Sequence, residues 1–179
     1  GQFNVATLGQ RQPGSSFKIF VYTAAINSGL SPDTVFSDSP MTFTSPEGES
    51  YSPQNSDGKF MGSMKMRDAL RLSRNVIAVH IMEKIGIETV IRHAHAMGIK
   101  EELKPYLSLA LGSAEVTVVE MASALSVLSN MGIKFEPTTI KKIIDANGNV
   151  IEDNTKRKGL KILPAPTAYT VTDMLKAVI

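Results

Sequence analysis

Arg11-Gln12-Pro13-Gly14-Ser15-Ser16-Phe17-Lys18 runs directly into Ile19-Phe20-Val21-Tyr22-Thr23-Ala24-Ala25-Ile26-Asn27. Ile19, Phe20, Tyr22, Thr23 and Ile26 recur at three- and four-residue spacing, which predicts a helix over 15–27, and Ser28-Gly29 supplies its stop. Pro13-Gly14 lets the chain turn sharply into that helix. Positions i and i+3 share a helix face, so Lys18 stands one turn above Ser15. A serine hydroxyl is a poor nucleophile near neutral pH and needs a base within hydrogen-bond reach. The free N–H groups at a helix start favour negative charge and are expected to lower the pKa of Lys18. Taken alone, the spacing favours an ordinary N-cap serine with an exposed lysine. Ser56-Asp57-Gly58-Lys59 repeats it inside a Gly- and Pro-rich loop, where it reads as polar surface.

Outward from this helix, residues 38–59 are rich in Pro, Gly, Ser, Asn and Asp and read as loop, with a possible short strand at 41–44. Helices are predicted over 64–72, 75–85 and 87–97, the last two closed by Gly86 and Gly98. Thr117-Val118-Val119-Glu120 fits a capping box and opens a helix reaching Met131. Asn147-Gly148 predicts a β-hairpin near 138–152. Residues 165–179 read as a last helix cut off in mid-pattern. The fold class is therefore mainly α with one hairpin.

Composition narrows the functions. The 179 residues are long enough for one domain with a core, and 42% hydrophobic content with 20% charge suits a globular fold. A net charge of +2 argues against a nucleic-acid partner, and Lys156-Arg157-Lys158 with Lys161 reads as a solvated loop. With no cysteine, disulfide and thiolate chemistry are excluded. No apolar run reaches the roughly 18 residues that span a bilayer. The start at Gly1 has neither a basic nor an apolar leader region, and the expectation is an excised piece of a longer protein. His80, His93 and His95 do not form a metal pair, because His93 and His95 point to different faces of one helix. No metal or cofactor is expected. Met61, Met64 and Met66 read as core filling, and Glu47, Glu49 and Asp57 as a charged loop.

Five blocks in order carry a resemblance. They are Arg11 to Lys18; Tyr51-Ser52-Pro53-Gln54-Asn55 with Asp57-Gly58-Lys59-Phe60; Arg67 to Val76, containing Ser73-Arg74-Asn75; Leu109 to Thr117; and Glu120-Met121-Ala122-Ser123-Ala124. Together they closely resemble the transpeptidase domain of the bifunctional (class A) penicillin-binding proteins. The resemblance covers most of residues 1–150. It implies an α+β family from which this chain holds the helical part, with most of the central sheet missing.

Carried over, the resemblance makes Ser15 the acyl-accepting nucleophile and Lys18 its base. Ser73 relays a proton toward the leaving amine, and Asn75 hydrogen-bonds the substrate amide. Arg74 stands where class A β-lactamases typically carry aspartate, which favours transpeptidase over β-lactamase. The family's third motif, Lys-Thr/Ser-Gly, appears nowhere in the 179 residues. An upstream glycosyltransferase domain, a membrane anchor and that downstream strand are expected outside this chain, with the reaction outside the cytoplasmic membrane. The implied partners are peptidoglycan stem peptides ending in D-Ala-D-Ala and β-lactam antibiotics. Two other readings stay open: hydrolysis, as carboxypeptidase or β-lactamase, and a non-catalytic binding module on the same scaffold.

Overall fold

The computed structural model describes residues 3–44, 48 and 50–178. Seven α-helices follow one another: α1 (Val5–Leu8), α2 (Lys18–Asn27), α3 (Met66–Arg71), α4 (Asn75–Ile85), α5 (Ile87–Met97), α6 (Val118–Ser129) and α7 (Ala165–Lys176). Two 3-10 turns, Gly14–Phe17 and Leu107–Leu111, interleave with them. The strands are β1 (Gln10–Arg11), β2 (Val35–Asp38), β3 (Phe43–Thr44), β4 (Ser50–Tyr51), β5 (Gly62–Lys65), β6 (Val116–Thr117), β7 (Ile133–Lys134), β8 (Lys142–Ile144), β9 (Val150–Asp153) and β10 (Leu160–Lys161). Among the described residues they form five antiparallel two-stranded ribbons and no larger sheet: β1–β6, β2–β5, β3–β4, β7–β10 and β8–β9.

Helix α2 is the centre of the molecule. Phe20, Val21, Tyr22, Ala24 and Ala25 are fully buried on all its sides, and α4, α5 and α7 pack around it. A helix apolar all round belongs in an interior. The small Ala24 and Ala25 suit neighbouring helices packing closely on it. The helix begins later than its periodicity predicts, because residues 14–17 are wound as a 3-10 turn and α-geometry starts only at Lys18.

Helices α4 and α5 have the predicted bounds, and α6 opens on the predicted capping box. Its Glu120 N–H donates to Thr117 Oγ1 at 3.2 Å, and the Thr117 N–H donates to Glu120 Oε2 at 2.8 Å. The predicted helix over 64–72 is shorter. Gly62–Lys65 is drawn into pairing with β2, and the helix starts at Met66. The reading of the three methionines as core filling is corrected at one of them: Met66 is in the core and Met64 packs against it, while Met61 is 57% exposed. The hairpin forms where Asn147-Gly148 predicts it, with the Asp145 carboxylate accepting from the N–H groups of Asn147 (2.9 Å) and Asn149 (2.8 Å). Glu47 and Glu49 lie outside the described residues.

Candidate active site

Helix α2 carries a lysine where its surroundings are apolar. Lys18 is 1% exposed. Its Nζ donates to Ser73 O at 2.7 Å, to Ser73 Oγ at 2.9 Å and to Asn75 Oδ1 at 2.6 Å. Those three bonds use every donor of an ammonium group. Burial, and then the positive charge of Arg74, lower its pKa from 10.5 to about 8. The cause is therefore desolvation with a neighbouring cation, rather than the helix start expected from sequence.

The partners suit either charge state. Ser73 O and Asn75 Oδ1 can only accept, whereas the Ser73 hydroxyl can accept from an ammonium or donate to a neutral amine. Proton loss from Lys18 therefore breaks none of the three contacts; it reverses the direction of one.

Ser15 lies one turn earlier, exposed, in the 3-10 segment. It is held there by its neighbours. The Ser16 hydroxyl donates to Pro13 O at 2.7 Å, and Gln12 Nε2 donates to Ser113 O at 3.1 Å. Arg11 pairs with Val116 across β1–β6. Gly14 and Gly112, both at positive φ, meet back to back: a Cβ on Gly112 would fall 2.3 Å from Gly14 O. Only glycine permits that approach. The structure thus places Lys18, Ser73 and Asn75 in one hydrogen-bonded cluster, with Ser15 exposed three residues before the lysine. None of the lysine's three bonds goes to Ser15.

The turn between α3 and α4 shapes the other half of the cluster. The Ser73 N–H donates to Leu70 O (3.0 Å) and the Arg74 N–H to Ala69 O (2.9 Å), the paired bonds of a Schellman helix end. Ser73 occupies the left-handed position at φ 53°, a place glycine usually fills. A side chain there costs about 1–2 kcal/mol. What it gains is a hydroxyl and a carbonyl both aimed at Lys18 Nζ.

Beneath this turn lies a polar network that sequence reading missed. Arg74, 5% exposed, donates from Nε to the fully buried Asp38 at 2.9 Å and from Nη1 to Asp57 at 2.9 Å; its Nη2 donates to Lys59 O. Asn55 donates to Asp38 Oδ1 (2.7 Å) and accepts from the N–H groups of Asn75 (2.9 Å) and Val76 (3.3 Å), capping α4 from a distant loop. Asn75 Nδ2 donates to Gln54 O at 2.8 Å. Arg74 itself was the available signal, because a cation that is buried must find anions. Nothing in the sequence says which ones.

The second Ser-x-x-Lys match, Ser56 to Lys59, stays on the surface, with all four residues exposed. His93 bonds Asn27 (3.0 Å) and Thr89 O (2.7 Å), and His95 bonds Ile99 O (2.8 Å). Among the described residues no group of three acidic, histidine or cysteine side chains is placed to hold a metal ion. A cleft of about 810 Å³ opens elsewhere, between α6 and the 135–157 segment, and shares no residue with the lysine cluster.

A family model described as "Penicillin binding protein transpeptidase domain" matches residues 2–179. Penicillin-binding protein 1A of Aquifex aeolicus is 38% identical over 99% of this chain, which spans only 24% of that relative. The crystal structure of Penicillin-Binding Protein 1A from Haemophilus influenzae superposes on all of this chain and 31% of its own with a TM-score of 0.93 at 28% identity. PonA1 from Mycobacterium tuberculosis, solved in complex with penicillin V, superposes on 97% of this chain and 48% of its own with a TM-score of 0.85 at 27% identity.

Proposed function

Since the chain belongs to the penicillin-binding protein transpeptidase domain family, we propose that it carries the nucleophile-bearing part of a D,D-transpeptidase that cross-links peptidoglycan stem peptides. One observation carries the reading. A buried amine held at about 8 is tied to Ser73 and Asn75, one turn from the exposed Ser15.

In this reading Ser15 Oγ attacks the carbonyl of the penultimate D-Ala of a donor stem peptide, and its proton passes to the neutral Lys18 amine. The tetrahedral adduct collapses with cleavage of the D-Ala–D-Ala bond. Lys18 returns the proton through the Ser73 hydroxyl, 2.9 Å away, to the departing D-Ala amine. An amine of a second stem peptide then attacks the Ser15 ester, forming the cross-link and restoring the serine. Asn75 binds the donor's amide. A β-lactam follows the first half of this route, its ring opening on Ser15. In this reading the reaction takes place outside the cytoplasmic membrane; no described helix is long and apolar enough to cross a membrane.

The second oxyanion donor and the substrate-carboxylate cation belong, by this reading, to the Lys-Thr/Ser-Gly strand. Loss of one oxyanion donor typically costs about 10²–10³ in rate. This chain by itself should therefore acylate slowly or not at all. Intact-protein mass spectrometry after incubation with a penicillin tests this in the present chain and in one extended through a Lys-Thr/Ser-Gly strand. A one-to-one adduct on Ser15 in the extended chain, lost in Ser15→Ala, is the expected result. Folded protein that forms no adduct in either chain would overturn the reading.

A further inference from the structure

We propose that Arg74 is a positioning residue for the Lys18 amine: clamped between Asp38 and Asp57, it fixes the 54–61 loop against the Ser73–Asn75 turn and holds a permanent cation beside the residues that bind the lysine. The proposal deepens the transpeptidase reading and rests on it for catalytic meaning; its measurement is independent of that reading.

Geometry comes first. The Arg74 guanidinium reaches three anchors, the buried Asp38 carboxylate, the Asp57 carboxylate and Lys59 O. Asp38 also accepts from Met61 N (3.0 Å) and from Asn55 (2.7 Å), so both ends of the loop are tied to one ion pair. Through Asn55 and Gln54 the loop holds the backbone and side-chain amides of Asn75, and the Asn75 side chain holds Lys18. Arg74 also follows Ser73, whose carbonyl and hydroxyl take two of the lysine's bonds. Every contact of Lys18 Nζ therefore comes from a residue adjacent to Arg74 in the chain.

Charge comes second. Lys18 is under-solvated, so one fixed cation nearby weighs against a second. Among the described residues, Arg74 is the one charged group acting on it, and its effect is to disfavour the ammonium form. The 3-10 turns packed on α2 contain no charged side chain. On the packed helices, Glu83 and Lys84 act on His80 of α4, His93 meets α2 at the far Asn27, and Asp173 pairs with Lys176 on α7. A guanidinium stays protonated throughout the working range, so its influence does not titrate away.

The test is a direct titration of Lys18 by ¹³Cε-lysine NMR on the full chain, with Lys18→Met assigning the resonance. Arg74→Gln should raise the midpoint by about half a unit or more, whereas Arg74→Lys, which keeps the charge, should leave it nearly unmoved. Because Arg74→Gln strands the Asp38 carboxylate, the double variant Asp38→Asn/Arg74→Gln supplies the same reading with the buried charge removed. A midpoint unchanged in the double variant, or raised equally by Arg74→Lys, would overturn the proposal. A purely structural role would slow acylation in every variant without this split. If penicillin labels neither wild-type chain, the transpeptidase reading fails while the Lys18 midpoints still decide the role of Arg74.

Discussion

Two stretches of this chain share the pattern Ser-x-x-Lys and nothing else. Around Ser15 and Lys18 the lysine is buried with three hydrogen bonds, while all four residues from Ser56 to Lys59 are exposed. The difference is what packs on each. Lys18 projects from the central helix against the Ser73–Asn75 turn. Lys59 lies in a Gly-rich loop with no helical register to align it. That loop is not idle, because Lys59 lends its carbonyl and Asp57 its carboxylate to Arg74. A motif becomes a candidate site when packing desolvates it, and its counterpart here serves as scaffold for that candidate.

Substitution in the two matches gives the largest contrast. In a chain extended through a Lys-Thr/Ser-Gly strand, Ser15→Ala should abolish covalent labelling by penicillin, and Ser56→Ala should leave it intact; mass spectrometry reads both. Removal of the lysines should separate the stretches nearly as well. Lys18→Met should slow acylation by about 10²–10⁴-fold, the usual range for a lost general base, with no comparable effect from Lys59→Met. The wild-type rate should climb as pH rises through about 8, where the Lys18 amine loses its proton.

Stability offers finer tests of the same contrast. Asp38→Asn leaves Arg74 without its buried partner and should cost about 3 kcal/mol in denaturant unfolding. Asp57→Asn, on the exposed arm of the same arginine, should cost a small fraction of that. Ser73→Ala keeps the strained Cβ but loses the hydroxyl, so it should fall about 1 kcal/mol below Ser73→Gly. The smallest effect is a slope. Folding holds Lys18 at about 8 against 10.5 when exposed, so the unfolded chain binds that proton more tightly between these values. Stability should therefore gain a component that rises with pH from about 8 to 10.5 and is missing in Lys18→Met. A wild-type stability curve parallel to that of Lys18→Met across this window would sink the claim that the amine is poised.

Much of the fold was legible from residue order. Periodicity and glycine stops located α4 and α5, the Thr117–Glu120 capping box opened α6, and Asn147-Gly148 marked the hairpin, because each is a local rule acting within a few residues. The four site residues were legible only through the ordered blocks around them. Ribbon β2–β5 was not legible. Its strands are four residues each and far apart in the chain, and the end of Gly62–Lys65 merges with the apolar pattern of the helix that follows. Five short ribbons give weak period-two signals, and pairing partners are chosen by packing.

Residue order alone therefore set the central helix, the spacing of Ser15 and Lys18, the Ser73-Arg74-Asn75 turn and the family they belong to. Long-range packing chose which of two identical spacings is desolvated, put Ser73 into a left-handed conformation, and gathered Asp38, Asn55 and Asp57 around Arg74. The cause is range. Helix periodicity and capping act over one or two turns, whereas the desolvation of a lysine and the pairing of a buried arginine depend on groups brought together from distant parts of the chain.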